Sequence, residues 1–575
     1  MKFFCIFCVL CGFASAAWAL DREAFTIAKY DLEIRLEPEQ QRLGARGKIT
    51  LRNDSAHPQK IVALQISSSL NWRSIRVDGK AVQFVSQPYT SDIDHTGALS
   101  EAIVTLPGEI KPKDSVELEI GYEGVIPLDT TRLTRVGIPE GIAKHTSWDQ
   151  ISPSFTAVRG AGYVAWYPIA TESADFSEGN SLFEVVDRWK AREAGSELKV
   201  KFSYSEVRMD AFSSLLCGVE KSYHGGLVGT NTETGSVENG VDCAWSPVGS
   251  VTPTFVMARY LSLKQPQISL FNFPGHEAGA ATYASAFDPA SKFVTGWFGQ
   301  PNSSVKVADF SDPNSAPFES GTLLMASMAA EDSKLAGINL VHELVHSALP
   351  SSRPWVYEGL AHFAEAMYRQ EQGGRQAALD FLGLHRAAFL DSEKEVSAAP
   401  EKKVGQPLAV TFDETYYRSK AAYVWWMLRD MAGDDALKEA IRKYQAEDDN
   451  DKAPKYVEQL IEAASKRDLS WFFDDWVYQD RGLPDFHVQS VHPWKTEKGV
   501  QFITVTLENL GGAGAEVPFT VIFEGGEITK RIEVRAKATA TTRVELPGTA
   551  TKIVVNDGSV PESDLTNNVF KISAP

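Results

Sequence analysis

The chain has 575 residues, 43% of them hydrophobic, and a formal net charge of −18. It is too long for a single hydrophobic core, so we expect three or four domains. The composition is that of a folded protein, and the negative charge argues against nucleic acid as a partner, because phosphates would be repelled.

Residues 1–19 have the features of a secretory signal peptide. Lys2 supplies a positive charge, Phe3–Phe13 is a short apolar run, and Ala17-Trp18-Ala19 fits a small-x-small cleavage site. We therefore expect export to the periplasm or the medium, with no membrane insertion after cleavage. A membrane anchor is the alternative, but the apolar run is short for a bilayer span.

Cleavage would leave two cysteines in the mature chain, Cys217 and Cys243. An oxidising compartment favours a disulfide between them. Sequence alone does not show that they are close, so two reduced buried thiols remain the alternative. Neither cysteine lies in a C-x-x-C motif, and neither is assigned to a metal.

Residues 20–264 are predicted to form a β-rich N-terminal domain. Tyr30–Leu36 alternates apolar and polar residues with the period of two expected of a half-buried strand. Lys48–Leu51 and Val116–Ile120 follow the same pattern. The stretch from about residue 130 to 265 is predicted to remain rich in strands.

Residues 265–485 are predicted to form a mainly helical domain and residues 486–575 a C-terminal β-sandwich, so the expected fold class is multidomain α+β. The helical pattern ends at Pro484, and the predicted strands that follow are separated by glycine-rich turns. Helical spacing is found in Asn339–Ala348, Val356–Arg369, Ala421–Met431, Leu437–Tyr444 and Tyr456–Ala464.

The segment His342-Glu343-Leu344-Val345-His346 is an HExxH motif. Positions i and i+4 share one face of a helix, so both imidazoles can reach the same metal ion. Glu343 points to the side of that face, where it can contact water and act as a general base. Two surface histidines on an ordinary helix are the alternative interpretation.

Glu358 is predicted to be the third metal ligand. It follows Pro354, a residue favoured at the start of a helix, and Leu349–Arg353 would connect the two helices. A carboxylate here completes a His2Glu set with an open coordination position, as catalytic zinc requires. The alternative is a surface acid stabilised by the helix dipole. The sequence thus predicts one zinc ion per chain, held by His342, His346 and Glu358.

The motif and the following Trp355–Ala361 segment, which reads W-x-x-E-G-x-A, resemble the gluzincin metallopeptidases. Gly296–Pro301, Tyr417–Ala421 and Trp471–Trp476 are similar to segments of the aminopeptidase N family in particular. The resemblance covers residues 25 to 485. It implies a saddle-like β-rich domain, a thermolysin-like catalytic domain, and release of N-terminal residues from peptide or protein substrates.

The same resemblance gives roles to three further residues. Tyr417 matches the tyrosine that stabilises the transition state, although Tyr416 is adjacent and either phenol could be the catalytic one. Glu319 matches the glutamate that holds the free amine of the substrate. Glu365 matches a recurring acid that would support a metal ligand from behind.

Three features depart from the family pattern. The eleven residues between His346 and Glu358 are a shorter spacing than in aminopeptidase N. The exopeptidase motif is reduced to Ala316–Ser320, and Ser419-Lys420 replaces Lys-Gly. A zinc endopeptidase or oligopeptidase is therefore an alternative. A non-catalytic surface binding protein is another, because a β-sandwich replaces the family's C-terminal helical domain.

Overall fold

The computed structural model describes residues 20–178, 181–204, 211–224, 239–249, 251–330, 332–398, 406–450, 452–497 and 500–572. The predicted signal peptide, residues 1–19, lies outside these ranges. Within them, no helix is both long enough and apolar enough to cross a membrane.

Strands dominate the chain up to residue 258. They are β1 (Phe25–Glu37), β2 (Arg42–Asn53), β3 (Gln59–Ser67), β4 (Leu70–Val77), β5 (Lys80–Ala81), β6 (Phe84–Thr90), β7 (Ala98–Ile110), β8 (Ser115–Val125), β9 (Phe155–Val158), β10 (Glu197–Tyr204), β11 (Ala211–Leu216), β12 (Val219–His224), β13 (Asn239–Trp245) and β14 (Phe255–Ala258). They form three sheets with the orders β13-β10-β1-β2-β8-β4-β5, β12-β11-β14-β9 and β3-β7-β6. The predicted β-rich N-terminal region is confirmed.

Three helices interrupt these strands and were missed in the sequence: α1 (Thr131–Arg135), α2 (Glu140–Thr146) and α3 (Ser181–Glu193). The signal for α3 was present, because Leu182, Val185, Val186 and Trp189 recur at helical spacing and are all buried. This helix matters for function, since its outer face reaches the candidate site.

A five-stranded sheet and eight helices follow. The strands are β15 (Leu261–Gln265), β16 (Ile268–Asn272), β17 (Val305–Ala308), β18 (Phe318–Ser320) and β19 (Leu323–Met325), in the order β15-β16-β17-β19-β18. The helices are α4 (Glu277–Phe298), α5 (Ser333–Ala348), α6 (Pro354–Gly373), α7 (Arg375–Ala398), α8 (Ala421–Ala432), α9 (Asp434–Lys443), α10 (Tyr456–Ser465) and α11 (Ser470–Phe473). Two π-helical turns, Thr415–Lys420 and Asp474–Tyr478, precede α8 and follow α11.

The five helices predicted in this region are confirmed, but α4, α7 and the short α11 were missed. The sequence of α4 is rich in glycine, alanine and serine and contains Pro289. These small residues and the proline obscure the helical spacing of its apolar residues. Around Glu319 the chain forms a tight hairpin, in which β18 and β19 pair antiparallel across Gly321 and Thr322.

The C-terminal strands form two sheets, as predicted for a β-sandwich. They are β20 (Phe486–Lys495), β21 (Gln501–Asn509), β22 (Ala515–Phe523), β23 (Gly526–Val534), β24 (Thr539–Leu546), β25 (Ala550–Val555) and β26 (Val569–Lys571), in the orders β20-β21-β24 and β23-β22-β25-β26. Their buried side chains continue the hydrophobic core of the helices without a break. The indole of Trp476 donates a hydrogen bond of 2.8 Å to the carbonyl of Gly514, across this junction.

Two features tie the N-terminal sheets together and to the five-stranded sheet. A disulfide joins Cys217 to Cys243, with the two Cα atoms 5.8 Å apart, so the predicted pairing is confirmed. A separate aromatic core, which includes Trp148, Phe271 and Phe310, fills the space between β9, β14 and β16. Phe318 packs against this aromatic core, which fixes the position of β18, the strand that carries Glu319.

Candidate metal centre

The HExxH motif lies in the last two turns of α5. The helix begins where the side chain of Asp332 accepts hydrogen bonds of 3.0 Å from the backbone N–H groups of Lys334 and Leu335, which is an N-cap. His342 and His346 then share one face, and their Nε2 atoms lie 3.1 Å apart. The predicted helical placement of both histidines is confirmed.

Glu358 faces these histidines from the start of α6. Pro354 opens this helix, as predicted, and the Glu358 carboxylate oxygens lie 3.9 Å from Nε2 of His342 and 3.8 Å from Nε2 of His346. Gly359 allows the close approach of α8, because a Cβ atom there would lie 2.6 Å from the side chain of Ala421. The glycine of the E-G-x-A segment is thus a packing requirement.

Glu319 enters the same group from the edge strand β18. Its Oε1 atom lies 3.2 Å from Nε2 of His342 and 3.5 Å from Nε2 of His346. The preceding residue, Phe318, is in edge-to-face contact with Tyr163 at 5.3 Å between ring centroids, which fixes the strand. We call Glu319, His342, His346 and Glu358 the ligand cluster; one potential ligand atom from each lies within 4.8 Å of the others.

The ligand cluster has the donor types and spacing of a zinc site. Two nitrogens bound tetrahedrally to zinc at 2.0–2.1 Å would lie about 3.3 Å apart, close to the observed 3.1 Å between the two Nε2 atoms. The two histidines and Glu358 form the His2Glu set, and Glu319 adds a second carboxylate. The residues present therefore fit a zinc ion.

A further acid supports the histidines from behind. Glu365 lies on α6, two turns after Glu358, and its Oε1 atom is 2.6 Å from Nδ1 of His342. This hydrogen bond holds the proton on Nδ1 and leaves the lone pair of Nε2 facing the cluster. On the other side, the ring of Tyr357 stacks on that of His346 at 3.7 Å. Both contacts limit rotation of the imidazoles.

Glu343 is fully buried beside the cluster. Among the described residues, neither of its carboxylate oxygens finds a hydrogen-bond partner. Burial raises the pKa of Glu343 well above its usual range, and the negative charge of Glu319 raises it further. Burial also favours the neutral form of Glu319, but the charges of His342 and His346 outweigh it and hold the pKa of Glu319 well below its usual range.

The two tyrosines considered as catalytic groups lie elsewhere. Tyr416 is completely buried. The hydroxyl of Tyr417 donates a hydrogen bond of 2.6 Å to Oδ2 of Asp187, on α3. Neither tyrosine contributes to the wall of the cavity that the ligand cluster faces. The adjacent Arg418 does, and its Nε lies 3.1 Å from Oε2 of Glu358.

The ligand cluster opens into a cavity of about 320 Å³. Helix α3 contributes Lys190 to one side of it, and loops of the N-terminal region contribute Tyr163, Val251 and Thr252. Sequence reasoning missed this wall. Helical spacing in α3 could have revealed the helix, but no local pattern shows that it faces residues more than a hundred positions away.

No protein-family model matches this chain, and no curated protein matches it either. Among solved structures, it is similar to an M1 zinc metallopeptidase from Deinococcus radiodurans, with 14% identity, a TM-score of 0.44, and coverage of 80% of this chain and 95% of the other. A glutamate-to-alanine variant of the Deinococcus radiodurans enzyme gives 15% identity and a TM-score of 0.44, covering 80% and 96%. A two-domain M1 zinc metallopeptidase variant bound to L-arginine gives 14% and 0.43, covering 77% and 93%. Similarity at this level leaves the activity to be argued from the residues themselves.

Proposed function

We propose that this chain is an exported zinc metallopeptidase that hydrolyses peptide bonds and acts as an aminopeptidase. The observation that carries the proposal is the ligand cluster, in which His342, His346 and Glu358 offer ligand atoms within 4.8 Å of one another, with Glu343 buried on the same helix. A purely structural cluster, or a binding protein, would have no need of Glu343 in this position.

Glu343 is the proposed general base and acid. A zinc ion held by His342, His346 and Glu358 would polarise the scissile carbonyl and lower the pKa of water. Glu343 takes a proton from the attacking water and transfers it to the leaving amine. Its buried carboxylate has a raised affinity for protons, which suits a group that must hold a proton between these two steps.

Tyr417 is the proposed donor of a hydrogen bond to the developing oxyanion. Its single O–H proton is donated to Asp187 in the structure, so the hydroxyl must leave Asp187 before it can reach a substrate. Arg418 is the second candidate for this role, because its guanidinium already lines the cavity and contacts Glu358.

Glu319 is the proposed partner of the free amine of the substrate. A carboxylate and an ammonium group form a charge-assisted hydrogen bond worth about 1.5–3 kcal/mol. An endopeptidase is the second candidate function, because Glu319 lies only 3.2 Å from His342 and could contact the metal instead of the amine.

Zinc content tests the metal site. The purified protein should contain about one zinc per chain, and His346→Ala should lose it, because a single nitrogen ligand, His342, then remains. His492→Ala, at an exposed position on the β-sandwich, is the matched control and should keep the metal. Full zinc in the His346→Ala variant would refute the assignment.

Peptides with free and acetylated N-termini decide between the two peptidase types. An aminopeptidase should cleave the free peptides and leave the acetylated ones almost untouched. Glu319→Ala should lower kcat/KM for the free peptides by roughly tenfold or more. Equal cleavage of both peptide types by the wild-type protein would establish the endopeptidase instead.

A further inference from the structure

We propose that Lys190, on the cavity wall, binds a carboxylate group of the substrate. This inference rests on the proposed peptidase function and adds a substrate class to it. Lys190 lies on α3 and lines the same cavity as the ligand cluster. It therefore faces the reacting groups from the opposite part of the fold.

The helix that carries Lys190 is firmly anchored. Its apolar face, which includes Val186 and Trp189, is buried in the N-terminal core. One turn further on, the carboxylate of Glu193 accepts a hydrogen bond of 3.1 Å from the backbone N–H of Ile27. The Lys190 side chain is only 21% exposed, so its ammonium group is held at the cavity wall and is partly removed from water.

In the part of the chain that the structure describes, two side chains of lysine or arginine line the cavity, Lys190 and Arg418, and Lys190 has the weaker ion pair within the protein. Arg418 is the other cation on the wall, and it is engaged by both Glu358 and Glu414. Among the described residues, the acidic partner of Lys190 is Asp187, at 3.9 Å. That distance is too long for a hydrogen bond.

Asp187 is also committed elsewhere, because it accepts the hydrogen bond of 2.6 Å from the hydroxyl of Tyr417. An ammonium group carries three N–H donors and no acceptor. In a partly desolvated position, the strongest ligand for it is an anionic oxygen. A peptide supplies such an oxygen in the form of a carboxylate.

Peptides offer two kinds of carboxylate, the C-terminal group and the side chains of aspartate and glutamate. Both are the same chemistry for Lys190. The cavity, at about 320 Å³, is at the lower end of the range of about 300–1,000 Å³ for small-ligand pockets. Only a short peptide can therefore bring its C-terminal carboxylate to Lys190, whereas a side-chain carboxylate near the scissile bond can come from a chain of any length.

Lys190 could instead act only on its own helix, by orienting Asp187 towards Tyr417. That role would make no distinction between charged and neutral substrates. The two roles therefore differ in a measurable quantity, which is the ratio of kcat/KM for a peptide with a carboxylate to kcat/KM for the same peptide with an amide.

The test uses matched short peptides in two arms. One arm compares a C-terminal acid with a C-terminal amide, and the other compares aspartate or glutamate with asparagine or glutamine in C-terminally amidated peptides. The wild-type protein should favour the carboxylate in at least one arm by roughly tenfold or more, the value of one charge-assisted hydrogen bond. Lys190→Met should bring that ratio close to one, chiefly through KM for the charged peptide.

Arg188→Met is the matched control, because Arg188 lies on the exposed face of the same helix, and it should keep the wild-type ratio. The proposal is overturned if the wild-type protein shows no preference in either arm, or if Lys190→Met lowers kcat/KM for charged and neutral peptides alike. If no peptide is cleaved, the peptidase assignment fails by itself. Calorimetric binding of the acid and amide peptides to wild-type and Lys190→Met protein then decides the role of Lys190 separately.

Discussion

Two buried groups of charged side chains differ in how their charges are compensated. In the N-terminal region, Arg159 is 3% exposed and Asp149 is fully buried. The guanidinium donates to both carboxylate oxygens, with a shortest distance of 2.6 Å, and the backbone N–H of Arg159 adds a bond of 2.7 Å. The cation also stacks on the rings of Trp148 and Tyr163.

The ligand cluster and Glu343 have the opposite composition. Three carboxylates, those of Glu319, Glu343 and Glu358, surround two imidazoles, and the oxygens of Glu343 have no hydrogen-bond partner among the described residues. The side chains of Arg159 and Asp149 satisfy each other's donors and acceptors, whereas Glu343 has no such partner among the described residues. Burial alone does not distinguish a structural centre from a candidate active site; the balance of charges and donors does.

The largest effect is expected from replacing Glu343, whose carboxylate has no hydrogen-bond partner among the described residues. Glu343→Gln should lower kcat by about 10²–10⁴-fold, because the proton transfers lose their base and acid. Zinc content should remain at the wild-type level, since Glu343 is not one of the proposed ligands. Near-normal turnover in this variant would show that another group is the base.

Stability should respond in opposite ways at the two centres. Asp149→Asn leaves Arg159 buried without its anion, and breaking such a pair costs about 3–5 kcal/mol, so the thermal midpoint should fall by several degrees. In chelator-treated protein, Glu343→Gln should keep or raise the midpoint, because the buried carboxyl group has no hydrogen-bond partner among the described residues to lose. Scanning calorimetry of both variants checks this, and a comparable loss from both would contradict the distinction.

Tyr417 connects the helical region with the N-terminal region, because its hydroxyl donates a hydrogen bond to Asp187 on α3. Tyr417→Phe should lower kcat by roughly tenfold to a hundredfold with little change in KM, as expected of a contact made in the transition state. Tyr416→Phe, at a fully buried position, is the control and should leave kcat nearly unchanged. If Tyr416→Phe is the damaging change, the assignment is off by one residue.

The smallest change in stability is expected at Glu193, a buried acid whose hydrogen-bond donors are uncharged. It accepts from the N–H of Ile27 and the hydroxyl of Ser196, and burial raises the pKa of Glu193 to about 7. The native state therefore binds more protons than the unfolded state between about pH 4.5 and pH 7. Over that window, the contribution of Glu193 to the free energy of unfolding should fall as pH rises, by at most about 1.4 kcal/mol per pH unit. Glu193→Gln should flatten this slope in urea titrations.

Local sequence patterns predicted the part of the site that local geometry determines. The spacing of His342 and His346 places both on one helix face, and Pro354 places Glu358 in the first turns of the next helix. The short connection between α5 and α6 then brings the three together. These placements need only helical periodicity and a helix-start signal.

The remaining wall of the site depends on packing between distant segments. The bond between Asp187 and Tyr417 spans 230 positions, and Lys190 reaches the cavity only because α3 packs on the N-terminal sheet. The position of Glu319 depends on aromatic contacts of Phe318 with another part of the fold. No periodicity or motif within one segment contains that information.

The unbroken core between the helices and the β-sandwich bears on how the molecule comes apart. A protease that cuts the chain between Tyr478 and Phe486 would sever the covalent connection but not the packing around Trp476 and Phe519. A salt bridge of 3.0 Å between Arg375 and Asp557 also crosses this junction. The nicked protein should therefore co-elute as one species in gel filtration and separate only in denaturant. The sandwich is therefore expected to stay bound to the helical region after cleavage, because the two share one hydrophobic core.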